Sequence, residues 1–391
     1  MIFKDIDQIT EEDLRTLIAN SVAERKTLEY KQTLPGNSDP EKKEFLADVS
    51  SFANASGGDI IYGIIEDRNT GFPIELKGIN IENSGQEIIR LESSIRDGIE
   101  PRVSGIGTRP IELSNGQTVL VVRIPKSWIP PHRVVFKGHN KFYSRGTNGK
   151  YQMDVTELRN AFNLSTSLTE KIRKFREDRI SKILANETPA PLSAKAKIVL
   201  HLIPVVSFNP AQTYEIHRTE SDKLHPIGDS GGSRRYNFDG LLAHSSMQDG
   251  KTSAYTQFFK NGIIEAVEES LLDSKYPDGR HYIPSVLFEK ELIDSLSNYL
   301  AVFKGLSVSL PIFLFLSLLQ VKEYSLAVNP RKTNKIRVDL IDRDILCVPE
   351  EVIESYDMTS SNILRPCFDS IWNASGFPKS LNYNDAGEWA G

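Results

Sequence analysis

Cysteine is nearly absent from the 391-residue chain: only Cys347 and Cys367 occur, with no C-x-x-C pair. That excludes a disulfide framework and a cysteine-rich zinc site. Histidine is sparse too, and His132, His139, His201, His217, His225, His244 and His281 show no metal-ligand spacing. Long apolar runs are also missing. The most apolar one, Leu306 to Val321, has sixteen residues and contains Pro311, so it reads as a buried core element rather than a bilayer span. Positive charge is not in excess, since 47 Lys and Arg face 52 Asp and Glu for a net charge of −5. Any nucleic-acid site must then be local. The opening MIFKDIDQITEED has acids and no apolar core, unlike a signal peptide. A cytoplasmic protein without membrane contact is the expectation.

One absence is local. The 41 residues from Leu113 to Met153 hold no Asp or Glu, where the chain average (52 of 391) gives about five. The same stretch carries seven cations interleaved with Trp128, Phe136, Phe142, Tyr143 and Tyr151. Cations with aromatics on a hairpin suit phosphate contacts and base stacking. Arg133, Lys137, Lys141, Tyr143, Arg145 and Lys150 are therefore the candidate nucleic-acid contacts. The competing reading is a solvated hairpin whose aromatics pack inward. His132 and His139 lie on it as exposed residues or phosphate contacts, or as a general acid.

What is present centres on Glu24 to Asp67. Within TLEYKQTL, Leu28 and Tyr30 alternate with Glu29 and Lys31, the pattern of a half-buried strand with Glu29 and Lys31 on its polar side. Glu24 lies five residues before Glu29, an odd separation, so cooperation requires Glu24 to sit in the loop entering the strand. From Glu41 to Ser56, Phe45, Leu46, Val49, Phe52 and Ala53 mark one face of a helix. Gly57-Gly58 then reads as its C-cap. The order helix, glycines, strand is the reverse of a phosphate cradle, so ATP hydrolysis is not expected. DIIYGII follows as a near-continuous strand delivering Glu66 and Asp67. If the two strands are neighbours, these carboxylates converge beside Lys31, and crowded carboxylates call for protonation or a hard divalent cation.

The arrangement Glu24-x4-Glu29-Tyr30-Lys31, then FANASGGDIIYGI, then an acidic pair, resembles the Schlafen-type, or AlbA-like divergent AAA, domain. KFYSRGT, with Arg145, Gly146 and Thr147, approximates that family's closing strand. The resemblance covers residues from about 11 to 163. It implies an α/β (α+β) fold, a mixed sheet with flanking helices, and a metal-dependent endoribonuclease acting on tRNA or other structured RNA. Mg²⁺ or Mn²⁺ would be held by Glu24, Glu29 and one of Glu66 or Asp67, with Lys31 offsetting charge at the phosphate. It also implies a setting in anti-phage defence and, because one lobe is present, a homodimer that rebuilds a two-lobed groove. A non-catalytic nucleic-acid-binding or regulatory module is the alternative.

The remaining elements follow from local signals. Thr10-Glu11-Glu12-Asp13 reads as a capping-box start. Ser84 to Ile99 reads as a helix burying Ile88, Ile89, Leu91 and Ile95, and Asn115-Gly116 joins two strands as a hairpin. Asp154 to Glu157 starts a short helix with Leu158 and Phe162 inward. These close a domain over 1–163, followed by a helical linker over 164–190 and a second α/β domain over 191–391, a sensor or dimerisation element. In that domain KIVLHLIPV is a strand and QFFKNGIIEAVEESLL is helix-like. Arg234-Arg235-Tyr236 and Lys260-Asn261 are candidate extensions of a nucleic-acid surface, and the tail SLNYNDAGEWAG is expected to be loosely ordered.

Overall fold

The computed structural model describes residues 2, 4–67, 70–193, 195–209, 212–215, 223–229, 232–328 and 339–391; His217 lies outside them. The chain divides into two units, Met1–Leu168 and Thr169–Gly391. Helices and several sheets together give it an α/β (α+β) fold.

In the first unit, α1 (Glu11–Ala19) starts at the expected capping box, with the Thr10 N–H donating to Asp13 Oδ2 at 2.8 Å. Strand β1 (Leu28–Lys31) buries Leu28 and Tyr30 in one cluster with Leu14 and Ile61. Helix α2 (Asp39–Asn54) packs Phe45, Leu46, Val49 and Phe52 into a second cluster with Ile60, Leu120 and Val122. It ends as its sequence requires. Gly57 takes φ +67°, donates to the Phe52 carbonyl at 2.9 Å, and a Cβ there would meet the Lys126 nitrogen at 2.5 Å.

Strand β2 (Gly58–Tyr62) lies parallel to β1 with Ile60 opposite Glu29. The expected continuous strand breaks at Gly63. That residue has φ +106°, a conformation L side chains avoid. Beyond it, β3 (Ile64–Glu66) leaves the sheet to pair with β4 (Pro73–Leu76). Helix α3 (Ser84–Gly98) buries Leu91 and Ile95, but Ile89 is 65% exposed, off the packed face. After β5 (Ile99–Glu100), β6 (Gly107–Glu112) and β7 (Thr118–Ile124) form the Asn115-Gly116 hairpin and complete a sheet ordered β1-β2-β7-β6. β8 (Arg133–Val134), β9 (Lys141–Gly146) and β10 (Gly149–Gln152) join β5 in a second sheet ordered β10-β9-β8-β5. Asn54, the last residue of α2, ties the helix to it by donating to the His132 and Tyr143 carbonyls at 2.9 and 2.8 Å.

The two helices expected after Asp154 are one, α4 (Val155–Leu184), and Phe162 is 51% exposed on it rather than inward. The division between the units falls inside this helix.

The second unit is built on an antiparallel sheet of β11 (Lys197–Pro204), β12 (Ser233–Tyr236), β13 (Gly240–His244), β14 (Ala254–Phe259) and β15 (Ile264–Glu268) with later strands. β14 and β15 replace the expected helix. Gly262 at φ +91° turns the chain, and Asn261-Gly262 between apolar runs is the hairpin signal that outweighs the helical spacing. β16 (Tyr282–Pro284) leads into α5 (Ser285–Gly305). The apolar run becomes β17 (Ile312–Leu319), buried throughout, as a core element should be. β18 (Ser325–Ala327) pairs with β16, while β19 (Ile345–Cys347) and β20 (Glu351–Ile353) pair with β17. α5 and α6 (Ser360–Ala374) pack on the sheet's apolar face.

The tail is ordered, contrary to its composition. Trp389 Nε1, Trp372 Nε1 and Ser380 Oγ donate to the buried Glu289 carboxylate at 2.8, 2.7 and 2.7 Å. Among the described residues no helix is long and apolar enough to cross a membrane.

Candidate active site

The polar edge of β1 carries a chain of alternating charges. Glu29, 7% exposed, holds the Arg145 Nη1 on Oε2 at 2.5 Å and the Lys31 ammonium on Oε1 at 2.5 Å. Arg145 comes from β9 and lies over the Phe52 ring, 3.9 Å from its centroid. Lys31 also faces Asp48 of α2 at 3.8 Å. Asp48 in turn accepts from Lys150 of β10 at 2.6 Å, and Lys150 bonds Glu44 as well. One strand from each sheet, β10 and the helix between them meet here.

Asp48 is the member that sequence reasoning missed. A signal existed, because Asp48 falls three residues after Phe45 and four before Phe52, on the helix's apolar stripe. A charge there needs a buried partner.

Glu24 sits in the loop entering β1, as its spacing required. A tight turn pairs Arg25 with Leu28 and folds the Glu24 carboxylate back, so that Oε1 accepts from the Tyr30 N–H at 2.6 Å. Burial is the main cause that raises the Glu24 pKa to about 7. The Tyr30 hydrogen bond opposes it, and the charges of Glu66 and Glu29 add to it. Burial, then the charge of Glu29, raises Asp48 to about 6 against Lys150 and Lys31. Burial opposes the Glu29 carboxylate too, but Arg145 and then Lys31 overcome it and hold its pKa below the usual range. Burial likewise opposes the charge on Lys31, and Asp48 and Glu29 outweigh it, so the ammonium stays protonated.

Glu24, Glu29, Glu66 and Lys31 are thus brought together. Glu66 ends β3 with Oε2 buried and without a hydrogen-bond partner. Asp67 starts the following turn, its carbonyl accepting from the Gly71 N–H at 2.7 Å. Among the described residues, no three His, Cys, Asp or Glu side chains form a ligand set for a metal ion. Both Glu29 oxygens are already occupied by cations. The residues as arranged do not fit a metal held by Glu24, Glu29 and Glu66 or Asp67.

The acid-free stretch finds its acids elsewhere in the unit. Arg133 pairs with Glu100 at 2.8 Å, Lys137 with Asp39 at 2.7 Å and Arg123 with Asp59 at 2.7 Å. Arg145 and Lys150 belong to the cluster just described, and Arg145 is only 4% exposed. Tyr143 is half-buried, with its hydroxyl 2.8 Å from His139 Nε2. Lys126 lies over the Trp128 ring, and Lys141 is exposed with no ion pair among the described residues. His132 is neither exposed nor a phosphate contact. It is 1% exposed, with Nδ1 donating to the Pro101 carbonyl at 2.7 Å and Nε2 2.6 Å from Ser127 Oγ.

Comparison with known proteins bears on part of the chain. The Schlafen, AlbA_2 family matches residues 24–154. No curated protein matches the chain. Among solved structures, the DIP2311 protein of Corynebacterium diphtheriae is similar at 18% identity and a TM-score of 0.27. That similarity covers 38% of this chain, which spans only 27% of that protein. The family supports a nucleic-acid-related function. Every residue of the carboxylate–cation cluster falls within the matched range, and the match supports a Schlafen, AlbA_2-like domain over residues 24–154.

Proposed function

We propose that the first unit is an endoribonuclease acting on tRNA or other structured RNA. The observation that carries this reading is the meeting of Glu24, Glu29 and Glu66 beside Lys31. With a pKa of about 7, Glu24 is suited to take a proton from a water or 2′-hydroxyl and return one to a leaving oxygen. The Lys31 side chain is 35% exposed and stays charged, which suits it to offset charge building on the scissile phosphate. Glu29 and Asp48 are positioning residues that hold the ammonium between them. No step is assigned to Mg²⁺ or Mn²⁺, whose requirement becomes an arm of the test. A setting in anti-phage defence and a homodimer extend the reading and rest on the family resemblance.

The second reading is a recognition module without catalysis, and the neutralisation of Glu29 by Arg145 and Lys31 favours it. The two separate on tRNA incubated with the full chain in Mg²⁺, Mn²⁺ or a chelator, beside Glu24→Gln and Lys31→Met. The endoribonuclease reading expects fragments from the wild type, lost in both variants while tRNA binding persists in Glu24→Gln. Intact tRNA with every protein, despite binding, would leave the recognition module.

A further inference from the structure

The second unit carries a cavity that the RNA-cleavage reading does not use. It has a volume of about 370 Å³ and is walled by Tyr214, Tyr236, Leu241 and Phe258, with Lys260 and Glu215 at its polar side. Concave, mostly aromatic sites with a few polar groups are where small planar ligands bind. The exposure around it points the same way. Tyr236 is 70% and Phe238 91% exposed, two aromatic rings within three residues of each other at the surface. Lys260 Nζ, which lines the cavity, stands 5.5 Å from the Phe238 ring centroid, so its charge faces an aromatic ring. Arg234, two residues before Tyr236 on β12, is outside the lining, with Nη2 3.1 Å from His225 Nδ1.

We propose that this cavity binds a nucleotide, with the base stacked against Tyr236 and Tyr214 and the phosphate on Lys260. The aromatic walls give π-faces for any base, and Lys260 supplies the charge that a phosphate needs. Glu215 is placed to accept from a ribose hydroxyl or a base amino group. The ligand is either a free nucleotide or one nucleotide of a single strand, and the chemistry at the cavity is the same. This inference does not depend on cleavage by the first unit.

Calorimetric titration of the full chain with AMP, and separately with a short single-stranded oligoadenylate, tests it, beside Tyr236→Ala and Lys260→Ala. The expected result is binding by the wild type that each substitution weakens roughly tenfold or more, with an unchanged thermal midpoint. Binding of AMP alone assigns the site to a free nucleotide; binding of the oligoadenylate only assigns it to a strand. Failure of both probes to bind the wild type, or equal affinity in both variants, overturns the proposal. Glu24→Gln leaves this titration unchanged whether or not the chain cleaves RNA.

Discussion

Glu24 and Asp48 share a property that makes them readable by titration: in the folded chain each favours its protonated form. Glu24 rises from 4.5 to about 7 and Asp48 from 3.8 to about 6. Between its unfolded and folded values each carboxyl binds more protons in the native state. Stability therefore falls as pH rises through that window and levels off above it. Glu24→Gln is expected to flatten the decline between about 4.5 and about 7, and Asp48→Asn the decline between about 3.8 and about 6. Denaturant midpoints taken across that range check both, and an unchanged slope in the variants counts against the burial of these groups. Glu29 behaves oppositely. Its removal leaves Arg145 buried over Phe52 without an anion, so Glu29→Ala should cost about 3–5 kcal/mol in unfolding free energy. That loss would confound an activity assay, which is why Glu24 is the better probe. At this scale the sequence exposed Glu24, Glu29, Lys31 and Glu66, because alternation and spacing are one-dimensional facts. It hid that Arg145 and Lys150 turn inward, because their anions come from residues 116 and 102 positions away.

The swing of the chain at Gly63 decides where Glu66 stands. Without it the strand would run on in the sheet of β1 and β2, and Glu66 would not sit against Glu24. A Cβ on Gly63 would lie 3.0 Å from Gly78 Cα and 3.2 Å from Val119 Cγ2, at φ +106°. Gly63→Ala is therefore expected to cost on the order of 1–3 kcal/mol and to reduce cleavage through displacement of Glu66. Thermal unfolding and tRNA fragment yield measure the two effects separately. The elements of the first unit were largely legible, since capping box, apolar stripe, Gly-Gly stop and Asn-Gly turn each act within a few residues. QFFKNGIIEAVEESLL misled because helix and strand share short apolar spacings, and only the Asn261-Gly262 turn separates them. The tail misled for another reason: Glu289, which receives Trp389, stands 100 residues away. Glu289→Ala should release that tail, seen as faster amide exchange over 380–391 and a red-shifted tryptophan emission.

For the molecule as a whole, net charge says little and pairing says more. Of the cations in the acid-free stretch, Arg123, Arg133, Lys137, Arg145 and Lys150 already have acidic partners, which leaves Lys126 and Lys141. RNA binding by the first unit should then weaken only shallowly with salt. The logarithmic slope is expected to correspond to about two phosphate contacts rather than about six, as filter binding over a salt series would read. In the endoribonuclease reading, a carboxyl titrating near neutrality does the proton transfer in RNA cleavage. Single-turnover cleavage of tRNA from about pH 5 to about pH 9 tests it most directly. The rate is expected to climb with pH through about 7 and then level, with no such limb in Glu24→Gln. Equal cleavage by Glu24→Gln at every pH, or tRNA left intact by the wild type throughout, would contradict it.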